Sequence, residues 1–323
     1  MASSKILSDF LRGECPKACL RRLDFTHTSP PIPAFRHHFA ATVDNLLTAN
    51  ECRDLLRLAE ESTVQTNKGS TAPTWDRAMV NVGNGRQTML IDTRDCGRIL
   101  WDTPEIADRL LRRLRPFLEE CGIETIRNQP LVTGRGPAKR GETFKLARLN
   151  ERIRFLRYEG GEYFRPHCDG NYVTEEGSEI SLFTVHLYLN GTGEQDVEEL
   201  ERRIEESERK TGLFEEDGEV DLGRIESHDA HNGSLTASPA DGSSEGARAG
   251  PDVGGSHDQE PLLGGATSFT DGYRSKDAVR VFPKTGSALI FQQRNLFHGG
   301  DEVFRGVKYT ARTDVMYRRE AHE

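Results

Sequence analysis

The expected fold of this chain is decided by the triplet His167-Cys168-Asp169, which is followed much later by His298 and then by Lys308. In a β-strand alternate side chains share a face, so one short strand is expected to direct His167 and Asp169 inward and Cys168 outward. If a neighbouring strand brings His298 alongside, two imidazoles and one carboxylate occupy one face of an octahedron. This arrangement leaves coordination positions open on non-haem Fe(II), so the spacing predicts an oxygen-activating enzyme.

The triplet belongs to an ordered set of motifs. The others are Arg157-Tyr158-Glu159-Gly160-Gly161-Glu162-Tyr163-Phe164, Thr184-Val185-His186-Leu187-Tyr188-Leu189-Asn190, Gly264-Gly265-Ala266-Thr267-Ser268-Phe269, Pro283-Lys284-Thr285-Gly286-Ser287-Ala288-Leu289-Ile290-Phe291 and Gly306-Val307-Lys308. Together with His298, these segments resemble the catalytic domain of the prolyl 4-hydroxylase-like branch of the Fe(II)/2-oxoglutarate dioxygenases. The resemblance covers about residues 151–193 and 263–317. It is specific for the superfamily and less specific for the branch.

The resemblance implies a set of site residues. His167, Asp169 and His298 would be the metal ligands, and no catalytic residue is predicted beyond them. The implied cofactor is Fe(II), with 2-oxoglutarate and O2 as cosubstrates and ascorbate as an optional reductant. Tyr158 and Thr267 are expected to contribute to the 2-oxoglutarate site.

The residue that binds the distal (C5) carboxylate of 2-oxoglutarate is left open between two candidates. Lys308 fits through the Gly-x-Lys match. Arg312 lies on the same face of the same predicted strand, and its guanidinium can bind a carboxylate with two hydrogen bonds. A buried cation needs an anionic partner, so Asp314 or the ligand must balance these charges. The structural alternative is that both cations only pair with acidic neighbours.

The resemblance implies the fold class α+β or mainly β, with a double-stranded β-helix (jelly-roll) core and N-terminal supporting helices. From residue 152 the pattern becomes that of strands, with Arg154, Leu156 and Tyr158 on the inner face. His186 shares the inward parity of Thr184 and Tyr188 and is expected to be an interior histidine that binds no metal.

The chain divides by composition into four regions. Residues 1–33 are expected to be a flexible tail, and 34–150 a mixed support region with helices over 49–62 and from Pro104 onward. The jelly-roll core comprises 151–193 plus 263–319. Residues 194–262 are an acidic low-complexity insertion, expected to be largely disordered apart from a charged helix over 198–210. His228 and His231 within it are poor ligand candidates.

Composition narrows the class of partner. A net charge of -9 argues against a general nucleic-acid surface, and no apolar run is long enough to span a membrane. No obligate protein partner is evident, and the cytoplasm or nucleus is the expected location. The glycine-rich, basic residues 134–141 are interpreted as a solvated loop.

The predicted reaction couples decarboxylation of 2-oxoglutarate to hydroxylation of a C–H bond, most simply on a prolyl residue of a peptide. A small-metabolite oxygenase with the same mechanism is the alternative, and desaturation or ring closure is the alternative outcome. Asp169 disfavours a halogenase, which would have a small residue at that position. A non-catalytic, cupin-like binding barrel is the competing class, because a fold alone does not establish catalysis.

Overall fold

The computed structural model describes residues 6, 8–15, 17–66, 72–81, 87–211, 260–273, 275 and 277–320. The helices are a 3-10 turn (Pro33–Phe35), α1 (Ala49–Thr66), α2 (Pro104–Glu120), α3 (Pro130–Thr133), α4 (Arg135–Lys139) and α5 (Val197–Thr211). The strands are β1 (Cys19–Arg22), β2 (Ala40–Asp44), β3 (Asp76–Arg77), β4 (Val80–Asn81), β5 (Gln87–Thr88), β6 (Arg94–Asp95), β7 (Gly97–Asp102), β8 (Thr125–Arg127), β9 (Thr143–Leu149), β10 (Arg152–Glu159), β11 (Tyr163–His167), β12 (Glu179–Tyr188), β13 (Leu263–Gly264), β14 (Thr267–Phe269), β15 (Val279–Val281), β16 (Ala288–Gln292), β17 (His298–Gly300), β18 (Val303–Arg305) and β19 (Val307–Arg319).

Two sheets form the core. The large sheet has the order β1-β2-β16-β12-β19-β10-β7-β3, with β9 pairing to β19 and β8 to β9. The small sheet has the order β15-β14-β17-β11-β6. Along the chain the core strands alternate between the sheets, except that β14 and β15 are successive strands of the small sheet: β10, β12, β16 and β19 lie in the large sheet, and β11, β14, β15 and β17 lie in the small one. This antiparallel alternation is the double-stranded β-helix, so the predicted fold class is confirmed.

The N-terminal helices support the outer face of the large sheet. Leu55 of α1 and Leu110 of α2 are fully buried in one cluster with Phe155 of β10. Helix α1 begins where the sequence predicts, because Thr48 and Glu51 form a reciprocal capping box: the Thr48 backbone N–H donates to Glu51 Oε2 (2.8 Å) and the Glu51 N–H donates to Thr48 Oγ1 (3.1 Å). None of the helices within the described residues combines the length and apolar composition needed to cross a membrane.

The segment expected to be a flexible tail is largely ordered where the structure describes it. Strand β1 pairs with β2 at the edge of the large sheet. Further along, Phe25 and Ile32 are buried, and the Phe25 ring packs edge-on against Phe269 of the small sheet at 5.2 Å. The apolar residues of this segment therefore close one end of the barrel, which the Pro-rich composition around residues 29–33 did not reveal.

The large sheet also extends beyond the region expected to form the core. Strands β2, β7 and β9 all precede residue 151, and each pairs with a core strand. Residues 134–141, expected to be a solvated loop, contain the short helix α4. The support region is therefore continuous with the barrel rather than only packed on it.

The described start of the 194–262 insertion is helical, as the charged pattern predicts. Helix α5 is anchored to the barrel by three contacts. The Gln195 side chain pairs with the backbone of Gly264, Glu199 forms an ion pair with Arg305 (2.7 Å), and Ser207 Oγ donates to Glu302 (2.6 Å). Residues 212–259, with His228 and His231, lie outside the described residues.

Candidate metal and diacid site

Three candidate ligands meet at one end of the barrel interior. His167 is the last residue of β11 and His298 is the first residue of β17, and the register of these neighbouring strands places their Cα atoms opposite each other. Asp169 follows two residues after β11 ends. The expectation that one strand carries both His167 and Asp169 is therefore wrong, because β11 is irregular between Phe164 and His167 and ends there. The chain still turns Asp169 inward, leaving it 8 % exposed.

The ligand atoms of these side chains lie within 4.8 Å of one another. His167 Nε2 is 3.5 Å from Asp169 Oδ1, and His298 Nε2 is 3.6 Å from Asp169 Oδ2. Two imidazole nitrogens and one carboxylate oxygen on one side of a cavity form a donor set that suits Fe(II) with open positions. The residues present therefore fit the metal that the resemblance implies.

Backbone carbonyls set the tautomers of both histidines. His167 Nδ1 lies 2.9 Å from the Arg165 carbonyl oxygen, and His298 Nδ1 lies 3.0 Å from the Leu296 carbonyl oxygen. A carbonyl oxygen can only accept, so each Nδ1 carries the proton and each Nε2 presents a lone pair. Burial lowers the pKa of His298 to about 4, which keeps its imidazole neutral as metal binding requires.

Asp169 is held by two side chains from the large sheet. Thr184 Oγ1 donates to Asp169 Oδ2 at 2.7 Å, and Arg312 Nη2 lies 2.9 Å from the same oxygen. Burial alone would raise the pKa of Asp169, but the Arg312 charge and the two histidines hold this pKa well below its usual range. The carboxylate is therefore charged and oriented, with Oδ1 left for a metal.

Arg312 belongs to a buried polar network that the sequence indicated only through Asp314. Its Nη2 also lies 3.4 Å from Asp314 Oδ1, and Gln293 Nε2 donates to the same oxygen at 3.1 Å. Gln293 lies just after β16 and contributes a second hydrogen bond to Thr184 (3.3 Å). No motif marks Gln293, since a glutamine at a strand end carries no sequence signal of its own.

Lys308 lies at the other end of the same cavity and differs from Arg312 in its partners. Only 1 % of its surface is exposed, and its Nζ lies 5.0 Å from the centre of the Tyr158 ring. Among the described residues, no carboxylate lies within ion-pair distance of Lys308. Burial lowers the pKa of Lys308 to about 8, and the nearest carboxylate, Asp301, is itself paired with Arg280 (3.1 Å).

The remaining residues that the sequence singled out line the same cavity. Tyr158, Thr267 and His186 face it together with both ends of the site. Thr267 Oγ1 accepts a hydrogen bond from the Tyr188 hydroxyl at 2.7 Å. His186 stacks on the Tyr188 ring at 5.2 Å, and its Nε2 has no hydrogen-bond partner in the described part of the chain. Tyr188 was placed on the inner face by its parity but was not selected as a site residue.

A glycine makes room for Lys308. Gly265 has a φ of +68°, in the left-handed region that favours glycine, and a Cβ there would lie 3.1 Å from Lys308 Cδ. The absence of a side chain at Gly265 therefore leaves space for the Lys308 side chain. The Gly-Gly and Gly-x-Lys motifs, forty residues apart in the sequence, meet at one point in the fold.

Comparisons with known proteins return structural similarity only. No family model matches the sequence, and no curated protein matches it. Similar solved structures include the collagen prolyl hydroxylase of Paramecium bursaria Chlorella virus-1 in complex with 2OG, at 14 % identity over 86 % of this chain and 96 % of that chain, with a TM-score of 0.39. A Pseudomonas putida prolyl-4-hydroxylase is 13 % identical over 88 % of this chain and 95 % of that chain, with a TM-score of 0.41.

A third similar structure is a prolyl hydroxylase from Trichoplax adhaerens in complex with a hypoxia inducible factor peptide fragment. It is 10 % identical over 88 % of this chain and 86 % of that chain, with a TM-score of 0.43. Because all three TM-scores lie below 0.5, an assignment of function depends on the residues of the site.

Proposed function

We propose that this chain is an Fe(II)- and 2-oxoglutarate-dependent oxygenase of the prolyl 4-hydroxylase-like type. The observation that carries the proposal is one cavity with metal-ligand side chains at one end and a buried cation at the other. One end presents His167, Asp169 and His298 as a metal-binding face. The other end holds Lys308, a buried cation with no carboxylate partner among the described residues. A diacid that chelates a metal through one end and needs a cation at the other matches this arrangement.

Different side chains of the cavity would bind the metal and the distal carboxylate. His167 and His298 present Nε2 lone pairs, and Asp169 Oδ1 completes the metal-binding face. Lys308 would bind the distal carboxylate, because Arg312 is already engaged by Asp169 and Asp314. When bound, iron would supply the oxidising chemistry that converts a C–H bond to C–OH with O2 as the oxidant and 2-oxoglutarate as the co-reductant, and succinate and CO2 as co-products.

Apolar side chains exclude water from the site. Leu156, Phe164 and Phe291 line the cavity between its two ends. A dry, low-dielectric interior strengthens the pairing of Lys308 with a carboxylate and protects reactive species from solvent. The apolar residues would exclude water from the cavity, while the polar residues would bind the metal and the diacid.

The proposed substrate is a prolyl residue within a peptide. The inner face of the large sheet continues past the cavity to β7, where Leu100 is 45 % exposed opposite Arg154. An exposed apolar side chain beside the cavity gives an extended peptide a surface to pack against, whereas a small metabolite would need a closed pocket. This feature favours the peptide over the metabolite alternative.

The test is anaerobic titration of the Fe(II)-loaded protein with 2-oxoglutarate, followed by a screen for succinate release in air. We expect a weak visible charge-transfer band in the wild type and its loss in His167→Ala, Asp169→Ala and His298→Ala, with the circular dichroism spectrum unchanged. His27→Ala is the matched control, since His27 is exposed and pairs only with its surface neighbours Asp24 and Thr26. Wild-type succinate release in the ligand variants would refute the proposal. The screen includes peptides and small metabolites side by side, and binding of 2-oxoglutarate without turnover on either would instead favour a non-catalytic barrel.

A further inference from the structure

Three arginines stand behind one wall of the cavity, and we call Arg94, Arg98 and Arg154 the arginine cluster. Arg98 in β7 has its Cα opposite that of Leu156, which lines the cavity. Arg154 in β10 lies between Leu100 and Arg312 across the large sheet. Residues opposite each other in antiparallel strands share a face, so the cluster lies on the inner face. Arg94 in β6 approaches from the small sheet.

Arg94 contacts the wall of the cavity directly. Its guanidinium lies 4.5 Å from the centre of the Phe164 ring, and Phe164 stacks on the candidate ligand His167 at 3.7 Å. Its Nε also lies 3.4 Å from the Cys96 sulfur. A cation over an aromatic face is only partly compensated, because the ring carries no net charge. Arg94 is thus one side chain away from the metal-binding face.

The cluster is buried without enough negative charge. Arg94 is 7 % exposed and Arg98 is 8 % exposed, yet among the described residues neither has a carboxylate within ion-pair distance. The hydrogen-bond partner of Arg98 is the neutral Gln87 side chain at 3.3 Å. Arg154 is paired with Asp314 (3.1 Å), but Asp314 is shared with Arg312. Unpaired buried charge is costly, so such an arrangement favours binding of an anion.

The like charges in the cluster act on one another. Burial lowers the pKa of Arg98, and the neighbouring charges of Arg94 and Arg154 lower this pKa further. Asp76 opposes them more weakly than either arginine acts. Lys308 contributes another buried cation on the same inner face. A 2-oxoglutarate dianion offsets only the two positive charges of Fe(II), so the cationic surplus of the protein remains when both are bound.

We propose that the primary substrate is a peptide bearing an Asp or Glu side chain next to the oxidised residue, and that the positive charge of the arginine cluster attracts this carboxylate, which meets the cluster at Arg154, whose side chain is 24 % exposed. The inference rests on the oxygenase function proposed above. A peptide fits because exposed apolar side chains flank the cluster and the metal-binding face: Leu100 lies beside Arg154, and Tyr172, three residues after Asp169, is 43 % exposed. The overall charge of -9 disfavours a nucleic-acid phosphate backbone as the anion.

The test uses protein loaded with Mn(II), which does not turn over, and with 2-oxoglutarate. A library of proline-centred hexapeptides is offered in pairs that differ only by Glu or Gln at one position beside the proline. We expect the retained peptides to be acidic, with the Glu member of each pair binding about tenfold more tightly than the Gln member. Arg98→Gln should abolish this preference and Arg98→Lys should keep most of it. Arg57→Gln is the matched control, because Arg57 is an exposed residue of α1.

The outcomes separate the inference from the function on which it rests. If the wild type binds no 2-oxoglutarate, the oxygenase proposal fails. If it binds 2-oxoglutarate but Glu and Gln peptides are retained equally, or no acidic peptide is retained, only the acidic-peptide inference is overturned. An unchanged preference in a folded Arg98→Gln variant also overturns the role of the cluster. Preferential retention of a single-stranded oligonucleotide over every peptide would replace the carboxylate by a phosphate and contradict the inference.

Discussion

The two ends of the cavity are served by two cations that lie four residues apart on one face of β19, and they are completed differently. Arg312 meets two carboxylates, Asp169 and Asp314, within 3.4 Å. Lys308 is more deeply buried than Arg312 and contacts an aromatic ring and a glycine, with no carboxylate within ion-pair distance among the described residues. At the metal-binding end, the positive charge of Arg312 is paired with carboxylates of the protein. At the other end, the positive charge of Lys308 has no carboxylate partner among the described residues. Both cations face the same cavity, so position alone does not separate them; their different carboxylate partners are what favours an orienting role for Arg312 and a binding role for Lys308.

Removing the positive charge of Lys308, which has no carboxylate partner among the described residues, is expected to have the largest effect. Lys308→Met keeps the length and volume of the side chain but deletes the charge, so the dissociation constant of 2-oxoglutarate should rise about 100-fold. Mn(II) affinity should change less than about twofold, because Lys308 does not contact the metal-binding face. Isothermal titration of the Mn(II)-loaded protein measures both. Lys284→Met, which removes a lysine paired with Asp44 at the surface, serves as the control. Equal 2-oxoglutarate affinity in Lys308→Met and the wild type would show that the anchor lies elsewhere.

Removing the positive charge of Arg312, which is paired with Asp169 and Asp314, should weaken metal binding more than 2-oxoglutarate binding. Arg312→Met leaves the Asp169 carboxylate without its charged partner, so Mn(II) affinity should fall about 10- to 100-fold. The affinity of the Mn(II)-saturated variant for 2-oxoglutarate should stay close to that of the wild type. Arg318→Met tests for general loss of positive charge on the same strand, since Arg318 is exposed. A loss of 2-oxoglutarate binding with unchanged metal binding would exchange the roles of the two residues.

Alkaline pH should weaken the diacid end before the metal end. Burial lowers the pKa of Lys308 to about 8, and only the protonated amine attracts a carboxylate. Affinity for 2-oxoglutarate should therefore be full well below pH 8 and fall by up to about tenfold per pH unit above the pKa of about 8 that Lys308 has in the free protein. The fall should level off above the higher pKa that this lysine has when the ligand is bound. The dissociation constant measured from pH 6.5 to 9.5 gives the profile. Lys308→Arg should flatten it, because arginine stays charged throughout this range; a wild-type profile with no rise would contradict the assignment.

The smallest effect is expected at the neutral partner of Asp169. Thr184→Val removes the hydroxyl that donates to Oδ2 and leaves Arg312 in place, so Mn(II) affinity should fall about three- to tenfold. Thr42→Val is a matched control, because the buried Thr42 hydroxyl has no hydrogen-bond partner within the described structure. Metal titration of the two variants side by side measures the contribution of one hydrogen bond. Identical affinities would mean that Arg312 alone orients the carboxylate.

Local signals predicted much of this molecule. The capping box at Thr48 and Glu51 forms as expected because its two hydrogen bonds join residues three apart. The alternation of Arg154, Leu156 and Tyr158 placed them on the inner face because side-chain direction in a strand depends only on parity. The convergence of His167 and His298 followed from the order of the motifs, and the structure brings their rings within 4.5 Å.

What the sequence left open depends on contacts between distant segments. Spacing could not separate Lys308 from Arg312, because the ion pair of Arg312 with Asp169 joins residues that are distant in the sequence. The arginine cluster was missed for the same reason, since Arg94 and Arg154 come together only when β6 and β10 pack around Leu156 and Phe164. The β1 segment was misjudged because its apolar residues are too widely spaced to form a local pattern.

The contacts that Thr184 and Arg312 make with Asp169 affect how many of its carboxylate oxygens could bind a metal. With Oδ2 occupied by Thr184 and Arg312, the carboxylate cannot swing to bring both oxygens onto a metal. A one-oxygen aspartate and two imidazoles fill three vertices of an octahedron, whereas a chelating aspartate would fill a fourth. A bidentate keto acid would then leave one vertex vacant in the first case and none in the second. By holding Oδ2, the Arg312 guanidinium would leave a bound metal one more position for a small molecule than a chelating aspartate would.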